Sequence, residues 1–420
     1  MRVRFASESI NEKFMFLLLV IVAARGFLNN FFDTGTMLVD VTFSILILTF
    51  FFWNKRKLRI NNLPMKLYSL IVFLSFFVFI YQVIVGQTDF YRGLIEIRSY
   101  IVYSLTFLFM AFCLSYNGCK RVVAVLTSVL FFINCFGIVQ FVFVQSLPEI
   151  LLTPKEVKIF LVNGLTDLIR VNALLGTTID FGQICVISIG LLTASIASKY
   201  NRNVFTYLKL IAATVACVLT FSRAAMVGGL MVAVCIYAVI YREKLTLKKI
   251  LAAITALFIF SILIYVFSDF ILYRFSSDNS AEMQRNDDGH YSVIYHAIKY
   301  IIDYPLAGYS ADFDVSSKII GDGTFWMHML QWGIPIAVLW LLLTFVLMRY
   351  ANKLIKEYDQ FTKMIGLCFF MLTIELWISS LINSGFQNRF VHTIYWLLGG
   401  VVVNLYLSGH RLPIRNRLSD

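Results

Sequence analysis

Short turns that gather lysine and arginine divide this chain into apolar runs of roughly 20 residues, which leaves few folds open to it. Inside a bilayer the backbone finds no water to bond with, so a crossing segment must be a helix of about 20 apolar residues or a strand of a closed barrel. About twelve runs of helical length can be marked, near 14–32, 36–53, 65–85, 99–116, 122–145, 177–197, 205–221, 224–241, 250–268, 331–349, 364–384 and 390–408. With 59% hydrophobic residues, 14% charged residues and a mean hydropathy of +0.78, the composition excludes a water-soluble domain. The fold class implied is an all-α polytopic membrane protein, with 1–420 as one integral membrane domain.

The basic residues set the expected orientation. With the N-terminus inside, the cytoplasmic turns and tails collect 24 of the 36 Lys and Arg, which places both termini in the cytoplasm. The net charge of +12 therefore reflects topology and gives no reason to invoke nucleic acid. Val22-Ala23-Ala24-Arg25 resembles a signal-peptide cleavage site, but the many further runs favour an uncleaved anchor. All seven cysteines fall in expected spans or in a cytoplasmic turn, and the five histidines lack metal-ligand spacing, so neither disulfides nor a metal or other cofactor is expected. No GxxxxGK[ST] loop is present and the cytoplasmic loops are short, which argues against an ATP-driven pump.

Two outer segments are long, at about 146–176 and 269–330, and long loops in compact proteins usually carry function. In the second, Ser292, His296, Lys299 and Asp303 recur at helical spacing opposite Ile294, Ala297, Ile298 and Ile301, which predicts an amphipathic helix in the interface plane. Tyr304-Pro305 ends it, and Gly308 follows in a turn.

Outside or at outer helix ends stand Arg25, Arg92, Arg98, Lys155, Lys158, Arg170, Arg223, Arg274, Arg285, Lys299, Lys318 and Arg389, eight of the twelve being arginine. A guanidinium grips phosphate oxygens through two parallel hydrogen bonds and stays charged near lipid, so this bias points to a phosphate ligand. Snorkelling side chains are the plainer reading for Arg25, Arg92 and Lys155. Arg223 differs, because Thr220-Phe221-Ser222-Arg223-Ala224 joins two apolar runs with almost no loop, and a charge so placed suggests function. Ala224-Ala225 and Gly228-Gly229 then allow a neighbouring helix close approach.

Four local patterns resemble the O-antigen ligase and polymerase superfamily of bacterial membrane enzymes. They are the Ser222-Arg223 turn, Arg170-Val171-Asn172-Ala173 leading to Phe181-Gly182, Ile301 to Gly308 with its Asp303-Tyr304-Pro305-Leu306-Ala307-Gly308, and Asp322-Gly323-Thr324-Phe325 with Gly333-Ile334-Pro335. The ligases open the last motif with a histidine; here that position is Asp322, and His328 lies six residues later, a departure that favours polymerase. Counting back from Pro305, the family's outer-helix arginine falls on His290, with Arg285 five residues earlier, and the choice between them stays open.

The resemblance implies glycosyl transfer between polyprenyl-diphosphate-linked oligosaccharides at the outer face of the bacterial cytoplasmic membrane. The bilayer and these lipids are the implied partners, with room for a chain-length regulator protein. Arg223 and Arg170, then Arg285 and Arg389, are the expected stabilisers of the departing diphosphate. Asp322, His290 and Asp312 are the candidates for taking the acceptor's proton, each against the reading of a solvated loop residue. Ligase activity and a glycolipid flippase are the alternatives; the flippase predicts two similar halves, and no internal repeat is visible.

Overall fold

The structure is a computed structural model that describes residues 2–25, 27–28, 35–54, 62–144, 146–148, 151, 161–162, 165–169, 171–173, 175, 177–241, 295, 297–312, 315–316, 323–381 and 387–409. The expected span at 250–268 and most of 269–330 lie outside these residues.

Helices dominate. In chain order they are α1 (Arg2–Ala23), α2 (Gly35–Asn54), α3 (Leu63–Ile84), α4 (Phe90–Ile97), α5 (Thr106–Phe112), α6 (Tyr116–Val142), α7 (Thr178–Ala197), α8 (Val204–Leu219), α9 (Arg223–Tyr241), α10 (Thr324–Trp332), α11 (Ile334–Leu354), α12 (Gln360–Ser380) and α13 (Arg389–Gly409). A small antiparallel hairpin of Leu161–Val162 and Leu165–Ile169 is the only sheet among the described residues. Eight helices there are long and apolar enough to cross a membrane, with Phe90–Phe112 counted as one, and Leu38–Phe50 and Val204–Leu219 are shorter apolar helices. The architecture is that of an all-α polytopic membrane protein.

Local chemistry sets where helices begin. The side chains of Asn62, Asp89, Ser115, Asn203 and Asp359 each accept from a backbone N–H in the first turn of the helix that follows. At α7, Thr177 and Asp180 form a reciprocal capping box. The Asp89 cap moves the start of the fourth expected span from 99 back to Phe90.

α7 and α13 form the interior of the bundle. In each, 89% of the apolar window is buried, against 28% for α3, whose Phe73, Phe77, Ile80 and Ile84 face outward as a lipid-facing side would. α7 packs against α8, α9 and α12, and α13 against α5 and α11. The second contact is close because Gly400 has no side chain: a Cβ there would lie 2.4 Å from the Phe107 carbonyl oxygen.

Hydrogen bonds and ion pairs define the two ends of the bundle. Arg25, Asp40, Arg98 and Arg389 meet at one end, called the Asp40 end below. At the other, Glu12 pairs with Arg121 at 2.8 Å, and Asn404 donates to the carbonyls of Met110 and Leu114 at 2.9 Å each.

The predicted outer helix is seen at 297–303, ending before Tyr304 with Gly308 at φ +68°. Its buried side is narrower than the sequence suggests. Ala297 and Ile301 pack on Met327 and Leu330, whereas Ile298 is exposed with Tyr295 and Ile302, because residues at i and i+4 share the stripe that meets α10 and Ile298 falls on its flank. Ser292, Ile294 and His296 lie outside the described residues.

Gly400→Ala is expected to lower the thermal unfolding midpoint of the detergent-solubilised protein, by overpacking worth about 1–3 kcal/mol. Gly409→Ala, where an added Cβ meets nothing within 4 Å, should leave the midpoint unchanged in the same assay.

Candidate functional site

A single buried carboxylate organises the Asp40 end. Asp40 lies one turn into α2, is 2% exposed and takes the Tyr103 hydroxyl on one oxygen. Arg98 Nη2 donates to its Oδ2 at 2.7 Å, while Arg25 Nε and Arg389 Nη1 stand at 3.5 Å. Arg389 also donates through Nε and Nη2 to Ser99 Oγ at 3.1 and 2.9 Å. Three guanidiniums thus share one carboxylate, and their side chains keep 20–26% exposure.

The backbone explains how one stretch supplies so many of these groups. Between α4 and α5, Arg98–Val102 widens into a π-helical turn, the kind of local bulge that often marks functional sites. From it and the turn that follows, Arg98 and Tyr103 reach Asp40, Ser99 meets Arg389, and Tyr100 stacks on Trp332 with ring centroids 5.4 Å apart.

On another side of α7 lies the turn before α9. Phe221 takes φ +51°, uncommon for a bulky residue, and Thr220 Oγ1 accepts from the Ser222 amide at 3.2 Å, which holds the reversal with no loop to spare. Gly182 lets the turn seat: its Cβ would fall 2.6 Å from Ala225 and 3.5 Å from Ser222. Arg223 follows at the start of α9, half-buried. The Val171 amide donates to Leu219 O at 3.3 Å, so the chain just after position 170 runs beside this turn. Deeper down, Gly228 makes room for Glu375, which is buried and accepts from Gln183 Nε2 at 2.6 Å.

A backbone clasp forms the third part. The Ile334 amide donates to Pro305 O at 2.9 Å and the Tyr309 amide to Leu330 O at 2.6 Å, so the Pro305–Gly308 turn lies flat on the α10–α11 junction. Both glycines are required, since a Cβ on Gly333 would sit 2.4 Å from Leu306 O and one on Gly308 would sit 2.7 Å from Leu330 O. Gln82 ties the clasp to α3: its Nε2 donates to Ala307 O and Gln331 O at 2.6 and 2.8 Å, and its Oε1 accepts from the Ala311 amide at 2.8 Å and the Thr88 hydroxyl at 3.1 Å.

Of the residues singled out in the sequence, Arg389 joins Asp40, and Arg223 stands at the turn packed on Gly182. Asp312 is buried in the clasp, 3.5 Å from Arg92. Arg170, Arg285, His290 and Asp322 lie outside the described residues, although Gly323, next to Asp322, opens α10 at φ +97°. His328 packs between Tyr100 and Trp340, and burial pushes its pKa down to about 4, so its imidazole is neutral at pH 7. Arg25 and Arg92, which snorkelling would explain, are instead drawn onto Asp40 and Asp312. Sequence reasoning passed over Asp40 and Gln82. Asp40 carried a usable signal, because an acid inside an apolar run needs a cation, and Arg25, Arg98 and Arg389 stand at the ends of other runs.

A membrane helical bundle with an arginine-rich end is thus joined, through its turns, to two interlocked glycine motifs. Residues 208–329 match the O-antigen ligase family, a stretch that contains the Ser222-Arg223 turn and the Asp303–Gly308 and Asp322–Phe325 segments. The match supports a place in the O-antigen ligase and polymerase superfamily and a role in membrane glycan processing, without distinguishing polymerase from ligase. No curated protein matches the chain.

Gln82→Leu takes from the Ala307 and Gln331 carbonyls the side-chain donor they share, while the Ala311 amide and the Thr88 hydroxyl keep Thr88 and Ser310 as partners. Each unsatisfied buried group costs about 1–3 kcal/mol. Limited proteolysis should therefore cut the variant within 297–316 faster than the wild type while α7 and α13 stay protected.

Proposed function

We propose that this protein is a polysaccharide polymerase, a metal-independent glycosyltransferase that joins polyprenyl-diphosphate-linked oligosaccharide repeat units at the outer face of the bacterial cytoplasmic membrane. Both termini are then cytoplasmic, and the Asp40 end, with the loops 146–176 and 269–330, faces outward. The observation that carries this reading is the excess of guanidinium over carboxylate, among the described residues, at the end of the bundle that also bears the Ser222-Arg223 turn.

In the reaction, an acceptor sugar hydroxyl attacks the anomeric carbon of the donor chain. The bond from that carbon to the diphosphate oxygen breaks as the new glycosidic bond forms, the bonding pair leaves with the diphosphate, and the hydroxyl proton passes to a base. Charge grows on the leaving diphosphate, so guanidiniums already fixed in place favour the transition state without reorganising. Arg223 and Arg170 take this role, with Arg285 and Arg389 in support, and Asp322 or His290 accepts the proton. A chain-length regulator would act on such an enzyme from outside its active site.

Ligase activity is the second reading, favoured by the description of the matched family. Against it, Asp322 occupies the position where the ligase pattern has histidine, and the nearby His328 is buried among aromatic rings.

The test is the size profile of surface glycan in cells lacking the protein, re-supplied with the intact chain or with Arg223→Ala at equal expression. The intact chain should restore a ladder. The variant should leave mostly single repeat units, since losing one such contact typically lowers turnover about 10²–10³-fold. Long lipid-linked polymer stranded outside the membrane would instead identify a ligase, and single units trapped inside a transporter.

A further inference from the structure

We propose that Arg25, Arg98 and Arg389 form a second anion site, distinct from the Arg223 turn, that holds the diphosphate of the acceptor lipid, with Asp40 occupying it when no lipid is bound; this moves Arg389 from the departing diphosphate to the retained one. The proposal rests on the polymerase reading above.

The first argument is charge. Among the described residues, Arg25, Arg98 and Arg389 gather on Asp40, with Asp180 as the second acid near them, so positive charge exceeds negative by one (three minus two). Asp180 spreads its charge over the Thr177 amide and Asn388 as well as Arg25, so Asp40 remains the carboxylate in direct contact with all three arginines. A structural ion network in a low-dielectric setting tends toward balance, because each unpaired charge must be withdrawn from water without return. An excess this size is stable where an anion arrives.

The second argument is unused donor capacity. Among the described residues, the buried Nε atoms of Arg25 and Arg98 have no hydrogen-bond partner, and Arg25 and Arg389 meet Asp40 only at 3.5 Å. One carboxylate is too small to saturate three forked guanidiniums. A diphosphate, with more oxygens spread over a greater length, matches them better.

The third argument is the reaction. In the transfer written above only the donor loses its diphosphate, and the acceptor keeps its own throughout, so two lipid diphosphates are bound at once. The retained one lies at the far end of the acceptor oligosaccharide from the attacking hydroxyl and needs a grip without acid or base chemistry. The Asp40 cluster suits that: its contacts are arginine, serine and tyrosine around a carboxylate already covered by cations. Asp180, which Asn388 beside Arg389 hydrogen-bonds, and Gly182, which seats the Ser222 turn, are two residues apart on α7. That spacing puts them about 200° apart around the helix, so the two sites flank α7 on opposite sides and neither blocks the other.

The experiment uses the full chain in nanodiscs of phosphatidylcholine, with undecaprenyl diphosphate as probe and bound copies counted by native mass spectrometry. Wild type should carry two. Arg25→Gln/Arg98→Gln should carry one, held by the Arg223 side, and Arg223→Ala should keep the one at Asp40. One copy in wild type, lost with Arg223→Ala and indifferent to Arg25→Gln/Arg98→Gln, would overturn this inference and leave the polymerase reading standing. No copies at all would overturn both. Displacement of one of two copies by phosphatidylglycerol would make the cluster a phospholipid headgroup site and sink the acceptor assignment. Asp40→Asn separates a ligand site from a structural pair: removing the resident carboxylate should tighten probe binding roughly tenfold, whereas unchanged or weaker binding would refute Asp40 as the occupant.

Discussion

A carboxylate withdrawn from water within a membrane bundle has to be paired, and Asp40 is paired by drawing in three helix ends. Arg25 comes from the end of α1, Arg98 from the π-helical turn and Arg389 from the first residue of α13. Removing one partner of such a buried pair typically costs about 3–5 kcal/mol, because the other charge is stranded. The position of α13, the most enclosed helix together with α7, is therefore coupled to the ionic state of this end. Ser99 strengthens the coupling by holding the Arg389 guanidinium from the same turn that supplies Arg98.

The clasp solves a different problem. Irregular backbone at the end of a bundle leaves amides and carbonyls without partners, and each must be satisfied within the protein where water is scarce. Gln82 answers with a side chain that uses two donor contacts and two acceptor contacts on three separate chain segments, while Gly308 and Gly333 permit the backbones to touch. The motif glycines thus have a mechanical role, fixing the segment next to Asp322 and the helix 297–303 relative to α3.

Much of the fold was legible in the sequence because hydropathy and capping are local. The run at 177–197 became Thr178–Ala197, the reversal at Ser222-Arg223 is as tight as its spacing implied, and Gly228 does receive another helix, through Glu375. The site was less legible, because it depends on which helix ends meet. Arg25, Arg98 and Arg389 are far apart in sequence and each alone resembles an interfacial anchor; only the tertiary arrangement brings them onto Asp40. The π-helical turn has no sequence mark comparable to a proline or a cap, so the orientation of Arg98 and Tyr103 was equally hidden. Gln82 read as one polar residue at the end of an apolar run, and its four contacts lie up to 249 residues away.

The opposite end shows what a purely structural ionic layer looks like in this molecule. Glu12 and Arg121 pair one to one at 2.8 Å. Lys120 lies over the Tyr116, Tyr200 and Phe361 rings, and Lys353 donates to the Tyr406 hydroxyl at 2.9 Å, so these cations are accommodated by aromatic partners. Burial pushes the Asp359 carboxyl up, but hydrogen bonds from Thr362 and Tyr116 and the charge of Lys120 outweigh it and hold its pKa below the ordinary value. The five charged groups named there each have a partner of their own, as stability alone would require. At the Asp40 end the same chain places three arginines on one acid, and among the described residues the Nε of Arg98 has no hydrogen-bond partner. The contrast between the two ends of one bundle is what separates an ionic lock from a seat for an anion.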